Sequence, residues 1–281
     1  MVIWSYQNFH KIKIKELFLG FRVKTKISKI TLEYKKGLAL DIFLSHSETV
    51  KETCILVVHG GGWESGDKVE AGWINKYFAD KGYIVASMNY RLAPQNKFPA
   101  PVQDVEDALK YLRTYFQDKK ESIKNFILLG RSAGAQIILY KGFARPETDI
   151  RALVDFYGPT NLGDFDKDHR WWSVLNSEIL LKNYLGGSLK THLDAYVGAS
   201  PCSYINKDVP PTLIFHGAKD ELVSVNESRK LASKLKEVGA KVEYIELPWA
   251  THALDFFSSG LSGQIALYKT QQFIETILSQ K

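Results

Sequence analysis

Short apolar runs alternate along the chain with stretches in which apolar residues recur every three or four positions. Continuous apolar runs predict strands that are buried on both faces, and the clearest is "CILVVHG" from Cys54. Other strands are predicted in "YIVASMNY", "NFILLG", "RALVDFYG", "PPTLIFHG" and "KVEYIEL". Helical spacing predicts helices from Glu70 to Lys81, in "FPAPVQDVEDALKYLRTYF", in "AGAQIILYKGF", from Asn226 to Val238 and in "GQIALYKTQQFIETIL". This alternation predicts an α/β fold with a mostly parallel central sheet and helices on both faces.

Two segments depart from the alternation. Within the N-terminal segment 1–52, "ITLEY" and "LALDIFL" alternate strictly and are separated by "KKG", which predicts a β-hairpin. Residues 159–208 contain no apolar strand, and a structureless loop of that length is unusual in a compact domain. We therefore expect a mainly helical, cap-like insertion over the sheet edge where ligands bind, within one domain spanning 1–281.

Composition excludes several classes of protein. The 281 residues are 24% charged and 45% hydrophobic, which is an ordinary globular balance. No run approaches the ~20 apolar residues of a membrane span, and neither a signal peptide nor a cleavage site is recognised at the N-terminus. Cys54 and Cys202 lack a CxxC or Cys/His neighbourhood, so we expect free thiols in a reducing, cytoplasmic compartment.

The net charge of +6 is concentrated near the N-terminus. From Lys11 to Lys36, nine Lys or Arg residues face two Glu residues. This segment could be an arm that touches nucleic acid or another anionic surface. We favour a solvated edge strand, because lysines discourage edge aggregation and no nucleic-acid motif is present.

The strongest chemical signal is "LLGRSAGAQ", in which Gly130 to Gly134 match G-x-S-x-G between a predicted strand and a predicted helix. That context places Ser132 on a strained turn, where flanking glycines let the strand and helix approach closely. The turn would project the Ser132 hydroxyl above the sheet and direct the Ala133 N–H to the same point. Ser132 is therefore a candidate nucleophile.

A serine nucleophile needs a base, and the base needs an orienting acid. His252 follows the last predicted strand and Asp220 follows the preceding one, which gives the order Ser, Asp, His expected of α/β-hydrolases. Asp155 in "VDFYG" is the rival acid, and we prefer Asp220 because a loop residue can reach across the sheet edge. His59 and His216 end apolar runs and are interpreted as core histidines.

The stretch "VVHGGGW" follows the strand before the first predicted helix, where this fold supplies its second oxyanion donor. With "YRLAP", "FPAPVQDVEDAL", "GRSAG", "HGAKD" and the late histidine, it resembles the hormone-sensitive-lipase branch of the α/β-hydrolases. The similarity extends to HGGGW-type bacterial carboxylesterases of the feruloyl-esterase-like, BD-FAE-like family. The resemblance implies a Ser132–His252–Asp220 triad, with an oxyanion hole made by the backbone N–H groups of Gly61, Gly62 and Ala133.

The chain departs from the family pattern at Arg131, Asn89 and Gln95, where acidic residues are common in the family. These changes affect charge and substrate preference rather than the triad. No P-loop and no spacing typical of metal ligands is present, so neither a cofactor nor a metal is expected.

The pattern predicts a serine carboxylesterase that acts on small to medium acyl esters, with a small-molecule ester as its partner and no nucleic acid. An amide hydrolase on the same triad, arylformamidase-like or a peptidase, stays open, as does a hydrolase-fold protein that binds a ligand without turnover. Assembly into a homo-oligomer is also left open. Aromatic candidates for the pocket wall, for which core packing is an equal alternative, are Trp63, Trp171, Trp172 and Tyr184.

Overall fold

A computed structural model describes residues 23–46, 51–119, 123–167, 176–257 and 260–280. Within these residues, eight strands form one sheet in the order β1-β2-β4-β3-β5-β6-β7-β8. The strands are β1 (Ile27–Lys35), β2 (Leu38–Ser45), β3 (Thr53–Val58), β4 (Ile84–Met88), β5 (Asn125–Arg131), β6 (Ile150–Phe156), β7 (Thr212–Gly217) and β8 (Val242–Leu247).

The predicted hairpin is present and forms one end of this sheet. β1 pairs antiparallel with β2, and β2 pairs antiparallel with β4, whereas β4, β3, β5, β6, β7 and β8 are mutually parallel. Among the described strands, β1 thus lies at an edge of the sheet, while Lys11, Lys13, Lys15 and Arg22 of the basic segment lie outside the described residues. The mostly parallel sheet predicted from the sequence is confirmed.

Helices cover both faces of the sheet, because alternate residues of each central strand point to opposite sides. Leu56 of β3 packs in one hydrophobic cluster, while Ile55 and Val57 pack in the other. In the described part of the chain, the helices outside residues 159–208 are α1 (Gly72–Asp80), α2 (Ala100–Asp118), α3 (Ala133–Ala144), α7 (Val225–Glu237) and α8 (Leu261–Ser279). Buried residues of α2, α3 and α7 belong to the first cluster, and those of α1 and α8 to the second.

The described part of residues 159–208, which excludes 168–175, forms three helices, α4 (Leu162–Lys167), α5 (Ser177–Leu185) and α6 (Leu193–Ala199), followed by a 3₁₀ turn at Pro201–Tyr204. The Asn176 side chain caps α5 by accepting a hydrogen bond from the Ile179 N–H, and Gly186 ends that helix in the left-handed conformation. That this helical region acts as a cap stays a prediction.

The parallel strands bring their carboxyl ends to one edge of the sheet. The chain leaves β3 into the HGGGW stretch, β5 into Ser132, β7 towards Asp220 and β8 towards His252. This edge is where ligands bind in open α/β sheets. The candidate site is therefore formed by loops that follow different strands and meet at this edge of the sheet.

Candidate active site

Ser132 lies on a strained turn between β5 and α3. Its φ of 51° and ψ of −120° are rare for a residue with a side chain. A Cβ at Gly130 would overlap the backbone of Gly134 and Ala135, and one at Gly134 would overlap the carbonyl oxygens of Val58 and His59. The glycines of G-x-S-x-G are therefore required by close backbone approach, as the motif predicts.

His252 contacts both other members of the predicted constellation. Its Nε2 lies 3.1 Å from Ser132 Oγ, and its Nδ1 lies 2.7 Å from Asp220 Oδ2. With Asp220 as an anion, Nδ1–H donates to the carboxylate and Nε2 is left to accept the Ser132 proton. The rival Asp155 does not contact His252, since its Oδ1 accepts a hydrogen bond from the Gly158 N–H within the β6 turn.

Asp220 is buried and has several donors. The Leu222 and Val223 N–H groups donate to Oδ1 at 2.8 and 2.9 Å, and His216 Nε2 lies 3.1 Å from Oδ2. Burial alone would raise the pKa of Asp220, but the hydrogen bonds from His216 and His252 outweigh it and hold that pKa well below its ordinary value. Asp220 therefore stays ionised beside the imidazole.

The two core histidines differ. His216 meets the expectation, because its Nδ1 lies 2.7 Å from Ser228 Oγ while Nε2 faces Asp220 and the Val223 carbonyl. His59 is buried and stacked on Tyr90, yet its Nε2 has no hydrogen-bond partner among the described residues. Burial lowers the pKa of His59, which favours a neutral ring. His59 is therefore buried as expected of a core histidine, but one of its ring nitrogens lacks a partner within the described part of the chain.

The HGGGW stretch lies directly against the nucleophile turn. A Cβ at Gly60 would come within 3.2 Å of Ser132 Cβ. Gly61 and Gly62 have φ of +105° and +60°, a region that glycine adopts at little cost. Within the described residues, the N–H groups of Gly61, Gly62 and Ala133 make no hydrogen bond. These three amides are thus unpaired donors, two on the loop that lies against Ser132 and one at the start of α3.

Two of the four aromatic candidates are buried where the HGGGW stretch meets the helical region. Trp63 and Tyr184 stack with ring centroids 4.6 Å apart, and both donate to Gln136 Oε1. Their place in the pocket wall stays a prediction. The other two candidates, Trp171 and Trp172, lie outside the described residues.

The loop after β8 carries a surface that sequence reasoning did not single out. An open cavity of about 500 Å³ borders His252 and is lined by residues between Trp249 and Ser262. Phe256 and Phe257 are 62% and 69% exposed beside it. In the sequence, these two residues could have been noticed because they closely follow His252.

Sequence reasoning also missed Gln136 and Asp255, which are fully buried near the site. Gln136 joins the HGGGW stretch to the helical region, and Asp255 contacts Arg131 across 124 positions of sequence. No local pattern predicts such pairings. The motif departure at Arg131 was the one hint that an acidic partner lies elsewhere.

The sequence is similar to those of known proteins. The BD-FAE family model matches residues 40–235, which include Ser132 and Asp220. The probable carboxylic ester hydrolase LipM of Mycobacterium tuberculosis is 27% identical over 264 residues, covering 88% of this chain and 60% of LipM. The probable isoprenylcysteine alpha-carbonyl methylesterase ICMEL1 of Arabidopsis thaliana is 26% identical over 241 residues, covering 80% of this chain and 50% of ICMEL1. The chain thus spans about 50 to 60% of the length of these curated relatives.

Solved structures are similar over most of both chains. Butyrate-bound esterase 2 of Thermogutta terrifontis superposes with a TM-score of 0.72 at 23% identity, covering 89% of this chain and 94% of that one. A truncated carbohydrate esterase from gut microbiota superposes with a TM-score of 0.77 at 19% identity, covering 93% and 100%. At these identities the superpositions establish the fold. Among the described helices, none is long and apolar enough to cross a membrane.

The order of the strands, the turn that carries Ser132 and the extent of the family match all lead to one assignment: the chain belongs to the BD-FAE family and has the α/β-hydrolase fold.

Proposed function

We propose that this chain is a serine carboxylesterase that hydrolyses small to medium acyl esters. The observation that carries the proposal is the position of His252, within hydrogen-bond distance of both Ser132 Oγ and Asp220 Oδ2. The names of relatives such as LipM, a probable carboxylic ester hydrolase, support the same class of reaction.

In the proposed first step, His252 Nε2 takes the Ser132 proton as Oγ attacks the ester carbonyl carbon. The imidazolium that forms is stabilised by ionised Asp220 and then donates its proton to the leaving alkoxide. The products of this step are an alcohol and an acyl group covalently bound to Ser132. A water molecule activated by His252 then attacks the acyl group and releases the acid.

The developing oxyanion would be bound by the N–H groups of Gly61, Gly62 and Ala133. Gly61 and Gly62 lie on the loop packed against the Ser132 turn, Ala133 begins α3 directly after Ser132, and none of the three N–H groups makes a hydrogen bond within the described residues. Donors fixed before the reaction need no reorganisation, and one such donor contributes about 3–4 kcal/mol of transition-state stabilisation.

We further propose that the helical region 159–208 acts as a cap whose inner face limits the acyl chain. Leu180 of α5 supports this role, because its side chain would lie about 3.2 Å from a Cβ at Gly62. The helical region thus approaches one of the proposed oxyanion donors directly.

The test combines an activity-based probe with substrates. The protein is incubated with a fluorophosphonate, and hydrolysis of p-nitrophenyl acetate and butyrate is compared with that of N-formylkynurenine. We expect labelling and ester hydrolysis that are lost in Ser132→Ala and retained in Ser233→Ala, a matched change at an exposed serine of α7. Equal labelling of Ser132→Ala would contradict the triad, and a higher kcat/KM for the formamide would assign an amide hydrolase instead.

A further inference from the structure

A buried ion pair connects the two loops that carry Ser132 and His252. Arg131 immediately precedes Ser132, and Asp255 lies three residues beyond His252. Arg131 Nε donates to Asp255 Oδ2 at 2.6 Å, with side-chain exposures of 7% and 0%. The charged groups are therefore almost wholly removed from water at the point where the two loops meet.

Tyr157 completes this cluster. It follows β6, its hydroxyl donates to Asp255 Oδ1, and its ring meets the His252 ring edge-on with centroids 4.6 Å apart. Asp255 thus accepts one hydrogen bond on each oxygen, from Arg131 on Oδ2 and from Tyr157 on Oδ1. Through Tyr157 the cluster also contacts the imidazole itself.

The backbone around the cluster is strained. Ser132, Tyr157 and Ala253 have φ of 51°, 49° and 54°, and each carries a Cβ. Such conformations persist only when the surroundings hold them in place. The Ser132 N–H donates to the Phe156 carbonyl at 2.9 Å, which joins two of these turns directly.

Stability alone does not explain a buried ion pair at this position. Well-packed apolar residues of similar volume are commonly as stabilising as a buried pair. The pair does fix the relative orientation of its two side chains, because hydrogen bonds between a guanidinium and a carboxylate are directional and apolar contacts are not. It also has no net charge, so it does not oppose the cation that forms on His252 in the proposed reaction.

We propose that Arg131, Asp255 and Tyr157 are positioning residues that fix the His252 loop relative to Ser132 and thereby set the Nε2–Oγ distance. This inference rests on the proposed esterase function.

The test is a double-mutant cycle on the full chain, with Arg131→Met, Asp255→Asn and the two combined. Each single variant leaves one buried charge unpaired and should lower Tm, whereas the double variant removes both charges and should recover much of that loss. We expect kcat for p-nitrophenyl butyrate to stay roughly 10- to 100-fold low in all three variants, because small displacements of a catalytic group cost about that much. KM should change less than about threefold, and fluorophosphonate labelling of Ser132 should slow by the same factor as kcat.

A remote pair provides the control. Arg113 of α2 and Asp149, which directly precedes β6, form a two-point ion pair at the amino end of the parallel strands, opposite the edge that carries Ser132. Arg113→Met with Asp149→Asn should change Tm without changing kcat. Arg131→Lys covers the case in which the double variant does not fold, since it keeps the charge but loses the guanidinium geometry, and its kcat should fall roughly tenfold.

A double variant that regains wild-type kcat together with Tm would make the pair merely structural and overturn the proposal. Wild-type kcat in Arg131→Lys would do the same. These outcomes leave the esterase proposal intact, because the wild-type protein would still label and hydrolyse esters. A wild-type protein that neither labels nor turns over an ester would overturn both.

Discussion

At the scale of the residue, the proposed acid is held more firmly than a simple triad requires. Asp220 accepts from two backbone N–H groups and faces both His216 and His252. Because its folded pKa is depressed, Asp220 contributes stability that is present above its unfolded pKa and is lost as pH falls through the folded value. Neutral and mildly acidic conditions therefore leave it ionised.

We expect Asp220→Asn to lower kcat by about 10³- to 10⁴-fold, because the neutral amide no longer fixes the His252 tautomer or stabilises the imidazolium. The measurement is ester hydrolysis at several pH values, with circular dichroism to verify folding. Asp208→Asn, at an exposed aspartate before β7, is the control and should be silent. Activity within tenfold of wild type in Asp220→Asn would contradict the role of this residue.

The pKa of Asp155, the acid that does not reach His252, is shifted in the opposite direction to that of Asp220. Burial is the main cause and raises the pKa of Asp155 to about 7, and the nearby Glu227 carboxylate raises it further. The hydrogen bond from the Gly158 N–H and the charge of His216 lower this pKa but do not outweigh burial. Asp155 Oδ2 has no hydrogen-bond partner among the described residues. At a pH between the unfolded and folded pKa values, Asp155 therefore takes up a proton when the protein folds. The stability that this protonation contributes is lost as pH rises to about 7.

Asp155→Asn imitates the protonated carboxyl at every pH. We expect the free energy of unfolding of the wild type, relative to this variant, to fall by roughly 1–3 kcal/mol between pH 5 and pH 8. Denaturant unfolding of both proteins at the two pH values measures the difference. A constant difference would show that Asp155 is ionised in the folded protein throughout.

At the scale of the element, the first turn of α3 is pressed against the end of β3. Gly134 makes this approach possible, since a Cβ there would overlap the carbonyl oxygens of Val58 and His59. Gly198 in α6 is a contrasting helical glycine, with nothing within 4 Å of its added Cβ. The same substitution therefore has opposite consequences in two helices.

We expect Gly134→Ala to destabilise the protein by about 3 kcal/mol or more through overpacking, and to abolish ester hydrolysis by displacing Ser132. Gly198→Ala should instead stabilise by roughly 0.5–1 kcal/mol, because alanine loses less entropy in a helix. Urea unfolding and ester hydrolysis are measured for both. Equal stability of the two variants would mean that α3 can shift away from β3 without cost.

At the scale of the whole molecule, the sequence predicted what depends on local pattern. The strands and the hairpin follow from periodicity, and the mostly parallel sheet confirms them. The roles of Ser132, Asp220 and His252 follow from motif and chain order and stay a prediction. The partners of Arg131 and Gln136 could not be predicted in this way. They join positions far apart in the sequence, and a buried polar side chain reveals its acceptor only after the layers have packed.

Gln136 is the clearest of these long-range contacts. Its amide accepts from Trp63 and Tyr184 and donates to the Ala199 carbonyl at 2.8 Å. One side chain of α3 thereby connects the HGGGW stretch to two helices of the proposed cap. Since all these groups are buried, none can exchange its partner for water.

We therefore expect Gln136→Leu to leave several buried polar groups unpaired and to destabilise the protein by about 3 kcal/mol or more. Because the joint between cap and HGGGW stretch is loosened, the rate profile against acyl length should also flatten, with longer esters gaining relative to acetate. Thermal unfolding and hydrolysis of a p-nitrophenyl ester series measure the two effects. Gln103→Leu, at an exposed glutamine of α2, is the matched control and should change neither. If Gln136→Leu lowers Tm but leaves the acyl profile unchanged, the helical region stabilises the fold without limiting the acyl chain, and the proposed cap is wrong.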